Sequence, residues 1–216
     1  MAGYRRLTAV ISIACGAVLA IPGAPAQATG FHNGSGFNSY EAGLLSSYTI
    51  KLVDTTDIEG FRTEAETVAA EIADITGLTV SVASGTVSTS YTRGQGEILI
   101  KTDVSSSCTT AGTGGLTWLG CTGTNVGPGG GARTDVDYVQ GGTVTLNVGL
   151  LGLSTDVQQH VMAHEVGHAF GLQHYDAMFE GHYQIMRSTT DVMTTQVDYE
   201  SGDINGFLYE LGVGTP

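Results

Sequence analysis

Hydrophobic residues along this chain recur with two periods. From Tyr48 to Asp54 the sequence YTIKLVD alternates apolar and polar positions, the two-residue period of a half-buried strand. The stretches LTVSVAS (78–84) and GEILIKTDV (96–104) read the same way, and GGTVTLNVGLL (141–151) predicts a further strand. Between the first two, Phe61, Ala65, Val68, Ala69, Ile72 and Ile75 recur at helical spacing, and Gly77 stands where a left-handed residue would end the helix. STDVQQHVMAHEVGHAFG (154–171) predicts a second helix, with Thr155 and Gln158 as its capping box, and ESGDINGFLYELG (200–212) a short final one. Residues 105–131, rich in glycine, threonine and serine, predict a long loop. One strand, a helix, three strands and a helix make a mixed α and β lobe with a helix under a sheet.

The N-terminus follows another pattern. A basic start, MAGYRR, precedes the apolar run LTAVISIACGAVLAI and then PGAPAQATG, the layout of a secretory signal peptide cut after Ala28, with Ala26 as second choice. The run is shorter than the roughly 20 residues of a membrane span. The expected organisation is a signal peptide over 1–28, a lead-in or short pro-segment over 29–47, and one domain over 48–216. A secreted, extracellular protein follows from this reading, and a monomer is expected.

Charge and cysteines narrow the picture. The chain has 8 Lys and Arg against 21 Asp and Glu, a net charge of −13. Such acidity argues against nucleic acid and anionic membranes as partners. Once Cys15 leaves with the signal peptide, Cys108 and Cys121 remain, and an even pair in a secreted chain predicts one disulfide. It would close a loop of about 14 residues, a stabilisation of roughly 3 kcal/mol.

The chemistry concentrates in HEVGHAFGLQH, His164 to His174. His164 and His168 are one helical turn apart, so both imidazoles leave one face, separated by about 6 Å of rise and about 40° of rotation. That spacing suits two corners of a tetrahedral zinc site, and Glu165 can reach a water on the metal without ligating it. On a continued helix His174 would lie about 240° around the axis from His168 and point away. The chain must turn, and Gly171 sits where a helix ends in a left-handed residue. Three neutral histidines leave zinc an open position for water, and Glu165 would act as the general base on it.

HEVGHAFGLQH also fits H-E-x-x-H-x-x-G-x-x-H, and through it the chain resembles the metzincin zinc metalloproteases. The resemblance implies an α+β, two-lobed zincin with a mixed five-stranded sheet, an active-site helix, a methionine turn and a C-terminal helix. It implies His164, His168 and His174 as zinc ligands, Glu165 as the base, and secreted endopeptidase activity on protein or peptide substrates. YQIMRS supplies Met186 for the methionine turn, with Met193 in DVMTT as its rival. SGDINGFLYELG resembles the closing helix of the matrixin branch. The size resembles the small secreted bacterial snapalysins, whose third ligand is an aspartate where this chain has His174. Departures are Tyr175 after the third histidine, Ser188 two residues past Met186, and the absence of a cysteine-switch segment.

Other residues carry weaker signals. His160 reads as a cleft-wall residue or a support for the ligands, His182 as a solvated loop residue, and His32 as a residue able to cap zinc in a latent form. Asp135, Asp137, Asp156, Asp176 and Asp191 are candidate Ca2+ ligands, although none makes a calcium loop. The strand at 141–151 is expected to form the cleft edge, where an extended peptide could add. Two other readings compete: a zinc-binding scaffold without catalysis, against which Glu165 speaks, and a zinc amidase acting on a non-protein amide.

Overall fold

The computed structural model describes residues 10–12, 31–32, 38–39, 42–104, 119–128, 137–191 and 194–211. Its centre is a six-stranded, mostly parallel sheet: β1 (Gly43–Leu44), β2 (Ser47–Val53), β3 (Thr79–Val87), β4 (Glu97–Asp103), β5 (Gly120–Pro128) and β6 (Asp137–Asn147). Parallel pairs run in the order β6–β4–β2–β3, and β1 pairs parallel with β6 at Tyr138 and Val139. Only β5 is antiparallel; it lies along the other edge of β6 from Gly120 opposite Leu146 to Pro128 opposite Asp137. Two short ribbons, Val10–Ser12 with Thr189–Asp191 and Phe31–His32 with Asn38–Ser39, stand apart from it.

The alternation in β2 is realised directly: Tyr48, Ile50 and Leu52 are buried. Helix α1 (Arg62–Thr76) puts Ala65, Val68, Ala69 and Ile72 into the core and ends at Gly77, whose φ of 69° is left-handed. Helix α2 (Thr155–Ala169) is buried almost all round, against β5, β6 and α1. Helix α3 (Ser201–Glu210) returns to α1 and seats Phe207 against Tyr199 and Phe170.

Several expectations are corrected. The sheet has a sixth strand, β1, in the stretch read as lead-in, where Ala42, Leu44 and Leu45 are buried. Part of the expected loop, residues 120–128, is strand β5. The 141–151 strand starts at Asp137 and gives way at Val148–Gly152 to a 3-10 turn, capped by the Asn147 side chain accepting from the Gly149 N–H. Because β6 has β5 on one side and β4 on the other, it is interior, and among the described strands β5 is the edge beside α2. The cap of α2 is Ser154, which accepts from the Val157 N–H, and not Thr155; the Gln158 amide donates instead to the Leu153 carbonyl. Cys121 on β5 is disulfide-bonded, and Cys108 lies outside the described residues. Among the described residues no helix is long and apolar enough to cross a membrane.

Candidate metal centre

The centre is built on the last two turns of α2. His164 and Glu165 are completely buried and His168 nearly so. Gly171 (φ 103°) closes the helix: its N–H bonds the His168 carbonyl at 2.9 Å and the Leu172 N–H bonds the Gly167 carbonyl at 3.1 Å, the paired bonds of a Schellman motif. A side chain at 171 would also collide, its Cβ falling 2.6 Å from Glu210 Oε1 and 3.0 Å from Val139 Cγ2. The chain therefore turns where the sequence demanded it, and His174 comes back to the helix.

The three histidines meet. One ring nitrogen from each of His164, His168 and His174 lies within 4.8 Å of the others. The Nε2 atoms of His164 and His174 are 3.2 Å apart. Two nitrogens at about 2.0–2.1 Å from one tetrahedral zinc are separated by close to that distance. The Nδ1 atoms are committed elsewhere: His164 Nδ1 donates to the Ile185 carbonyl at 2.8 Å and His168 Nδ1 to the Leu172 carbonyl at 2.7 Å. With the proton on Nδ1, Nε2 is left as a bare lone pair. His168 Nε2 is buried and has no hydrogen-bond partner among the described residues, an orphan that a cation would satisfy. Burial, followed by the neighbouring imidazoles, holds His164 well below its ordinary pKa and His168 down at about 3, and burial also lowers His174. Three neutral nitrogen donors with no proton competing for them fit zinc.

Glu165 points to β5. Thr122 Oγ1 lies 2.8 Å from Glu165 Oε2 and 2.8 Å from the Glu165 carbonyl. Glu165 Oε1 is buried and without a partner among the described residues. Burial pushes this carboxyl up to about 8, partly offset by the Thr122 hydrogen bond; a cation nearby favours the charged form and works against that rise.

The floor comes from the segment after His174. Met186 is buried, and its Sδ sits 2.6 Å from where a Cβ on Gly167 would stand. Its carbonyl accepts from the Tyr175 N–H at 2.9 Å, joining the residue after the third histidine to the methionine segment. Asp176 Oδ1 accepts from the Ser188 N–H at 2.8 Å and its hydroxyl at 2.6 Å. Asp203 of α3 accepts from the N–H groups of Ile185 and Met186, and Gln184 accepts from the N–H groups of Gly202 and Asp203. Sequence reasoning missed Thr122, Gln184 and Asp203. Asp203 lies in the SGDINGFLYELG stretch, but its partners are set only by packing.

The remaining candidates fall as follows. His160 is buried and bonds the Gln196 carbonyl through Nδ1, so it ties down a later loop and does not line an open wall. His182 is exposed. Asp137, Asp156 and Asp176 are exposed; among the described residues, the only cluster of three or more metal-ligating groups is the histidine triad. Met193, Asp135 and the side chains of His32 and Asp191 lie outside what is described.

Comparison with known proteins adds one finding: residues 97–183 match the family described as dual-action HEIGH metallo-peptidase. The five letters of that name read H-E-V-G-H here, with the buried Val166 in third place. No curated protein matches the chain. The matching stretch runs from the first residue of β4 through β5, β6, α2 and His174, the same elements that assemble the centre. Over that stretch the chain is similar to this metallopeptidase family, and the match supports a metzincin-like zinc metalloprotease.

Proposed function

We propose that this metallopeptidase is a secreted endopeptidase in which Glu165 is the general base and His164, His168 and His174 hold one zinc. The observation that carries the reading is the convergence of three imidazole nitrogens beside the buried Glu165 carboxyl group, one oxygen of which has no partner among the described residues. Zinc, when bound, would polarise the substrate carbonyl and acidify a water. Glu165 Oε1 takes a proton from the attacking water and delivers it to the leaving amine, so no side-chain nucleophile is used. His164 and His168 stay oriented because the Ile185 and Leu172 carbonyls fix their rings. The strand to which an extended peptide adds is β5, since β6 has no free edge beside the centre.

Secretion rests on the leader over 1–28, and a Cys108–Cys121 disulfide would tether β5 to the segment preceding it. The methionine turn is assigned to Met186 because it packs under Gly167. The matrixin-like reading rests on the Met186 turn, the closing helix and the upstream order of strands and helix.

The test is to express the full chain, collect it from the medium and sequence its N-terminus. Casein hydrolysis is then measured with and without a chelator, beside Glu165→Gln, with zinc determined on each sample. Expected are a start at Thr29, one zinc per chain, chelator-sensitive cleavage, and a Glu165→Gln variant that keeps zinc and loses activity. A zinc-loaded wild type with no hydrolysis of any peptide bond would overturn the endopeptidase reading.

A further inference from the structure

We infer that β5 aims the general base: Thr122 is a positioning residue for Glu165, and Gly120 is the space that its carboxylate needs. The inference deepens the reading of Glu165 as the base and rests on it.

Residues 120, 122 and 124 of β5 share one face of the strand, as the two-residue period requires. All three meet α2. A Cβ on Gly120 would stand 2.7 Å from Glu165 Cγ, 3.0 Å from Cδ and 2.9 Å from Oε1. Thr122 Oγ1 reaches Glu165 Oε2 and the Glu165 carbonyl, and Thr124 Oγ1 donates to the His168 carbonyl. Other polar ties of α2 run to the segment that follows it, from His160 to Gln196, His164 to Ile185 and the Ala163 carbonyl to Tyr199; the Thr122 and Thr124 hydroxyls tie it to β5 at the residues that bear chemistry.

The carboxylate itself has few constraints from its own helix. Glu165 has three side-chain torsions, and its last is broad. One oxygen, Oε2, is held by the Thr122 hydroxyl; the other, Oε1, has no partner among the described residues and lies beside the bare backbone at Gly120. The Thr122 hydroxyl has one proton to share between Oε2 and the Glu165 carbonyl, and anchoring one carboxyl oxygen restricts the group's rotation while leaving the second oxygen for proton transfer. Any side chain at 120 would push the free oxygen away. The division of labour is thus Thr122 to hold and Gly120 to stay out of the way.

Rate is sensitive to such placement: a shift of about 1 Å costs on the order of 100-fold. The experiment compares Thr122→Val, Thr122→Ser and Gly120→Ala with wild type and Glu165→Gln. It reads zinc content, kcat and KM on one peptide, and crystal structures of the zinc-loaded chains. Thr122→Val is expected to keep one zinc and an unchanged KM, to lose about 10- to 100-fold in kcat, and to show the Glu165 carboxylate displaced. Thr122→Ser, which keeps the hydroxyl, is expected to recover most of the rate. Gly120→Ala is expected to keep zinc, lose kcat and move Oε1. Wild-type kcat with an undisplaced carboxylate in Thr122→Val overturns the inference, as does Thr122→Ser being as slow as Thr122→Val. If Thr122→Val does not fold, Thr122→Ser and Gly120→Ala decide by the same structural readout. An active Glu165→Gln chain refutes the underlying reading of Glu165, whereas the position of the carboxylate in the structures reports on β5 whether or not that reading stands.

Discussion

Asp203 of α3 accepts the backbone N–H of Ile185 at 2.9 Å, and the carbonyl of that same Ile185 accepts from His164 Nδ1 at 2.8 Å. One peptide segment thus passes the position of the C-terminal helix to the first histidine. Asp203 is 2% exposed, and burial raises its pKa to about 6, opposed by the three N–H groups it accepts, those of Glu200, Ile185 and Met186. Asp203→Ala should leave those donors without their acceptor at a cost of about 1–3 kcal/mol. It should also weaken zinc binding by about 10- to 100-fold, as supports of metal ligands do. Thermal unfolding with excess chelator separates the first effect, and competitive zinc titration measures the second.

Gly167 and Met186 interlock, and a double-mutant cycle reads the contact. Gly167→Ala places a methyl 2.6 Å from Met186 Sδ. The better helix propensity of alanine, about 1 kcal/mol, is set against overpacking of about 1–3 kcal/mol, so a net destabilisation is expected. Met186→Ala alone should cost about 2–5 kcal/mol for its cavity. Combined, the two should cost less than their sum, because each relieves the other. Strict additivity in denaturant unfolding would show that the two residues do not touch.

Two glycines compare the same fold device with and without neighbours. Gly77 ends α1 at φ 69° with no atom within 4 Å of where a Cβ would stand, whereas Gly171 ends α2 at φ 103° against Glu210 and Val139. Gly77→Ala should cost about 1 kcal/mol and leave zinc affinity alone. Gly171→Ala should cost more, about 1–3 kcal/mol for the backbone alone, and weaken zinc by displacing His174. Equal zinc affinity in both variants would remove Gly171 from the account of the centre.

Stability should carry a pH signature from Glu71. Its Oε1 accepts the Tyr199 N–H at 2.6 Å while Oε2 is buried with no partner among the described residues. Burial, reinforced by Asp198 and Asp203, raises its pKa from 4.5 to about 7. The folded chain therefore holds this proton more tightly than the unfolded chain. The resulting stabilisation is full below about pH 4.5 and is lost as pH rises to about 7. Glu71→Gln keeps an acceptor for Tyr199 and cannot ionise. Its Tm should match wild type near pH 4.5 and exceed it at pH 8; a constant difference across that range would refute the argument.

What the sequence determined by itself is what local spacing can fix. HEVGHAFGLQH sets two imidazoles one turn apart, and Gly171 forces the turn that returns the third, because helix geometry and glycine's freedom act within ten residues. Helices α1, α2 and α3 and strands β2, β3 and β4 were legible for the same reason: each carries its own period. Strand β5 was not. Its inward positions are Gly120, Thr122 and Thr124, with no apolar alternation, because they face polar atoms of α2 and a carboxylate. The alternating threonines were the only trace, and they read equally well as loop. Which strand lies at the edge, which carbonyl holds each imidazole, and which of two methionines lies under Gly167 depend on groups far apart in the chain. Tertiary packing decided them, since a hydrogen bond between Asp203 and Ile185 or Thr122 and Glu165 has no sequence period to announce it.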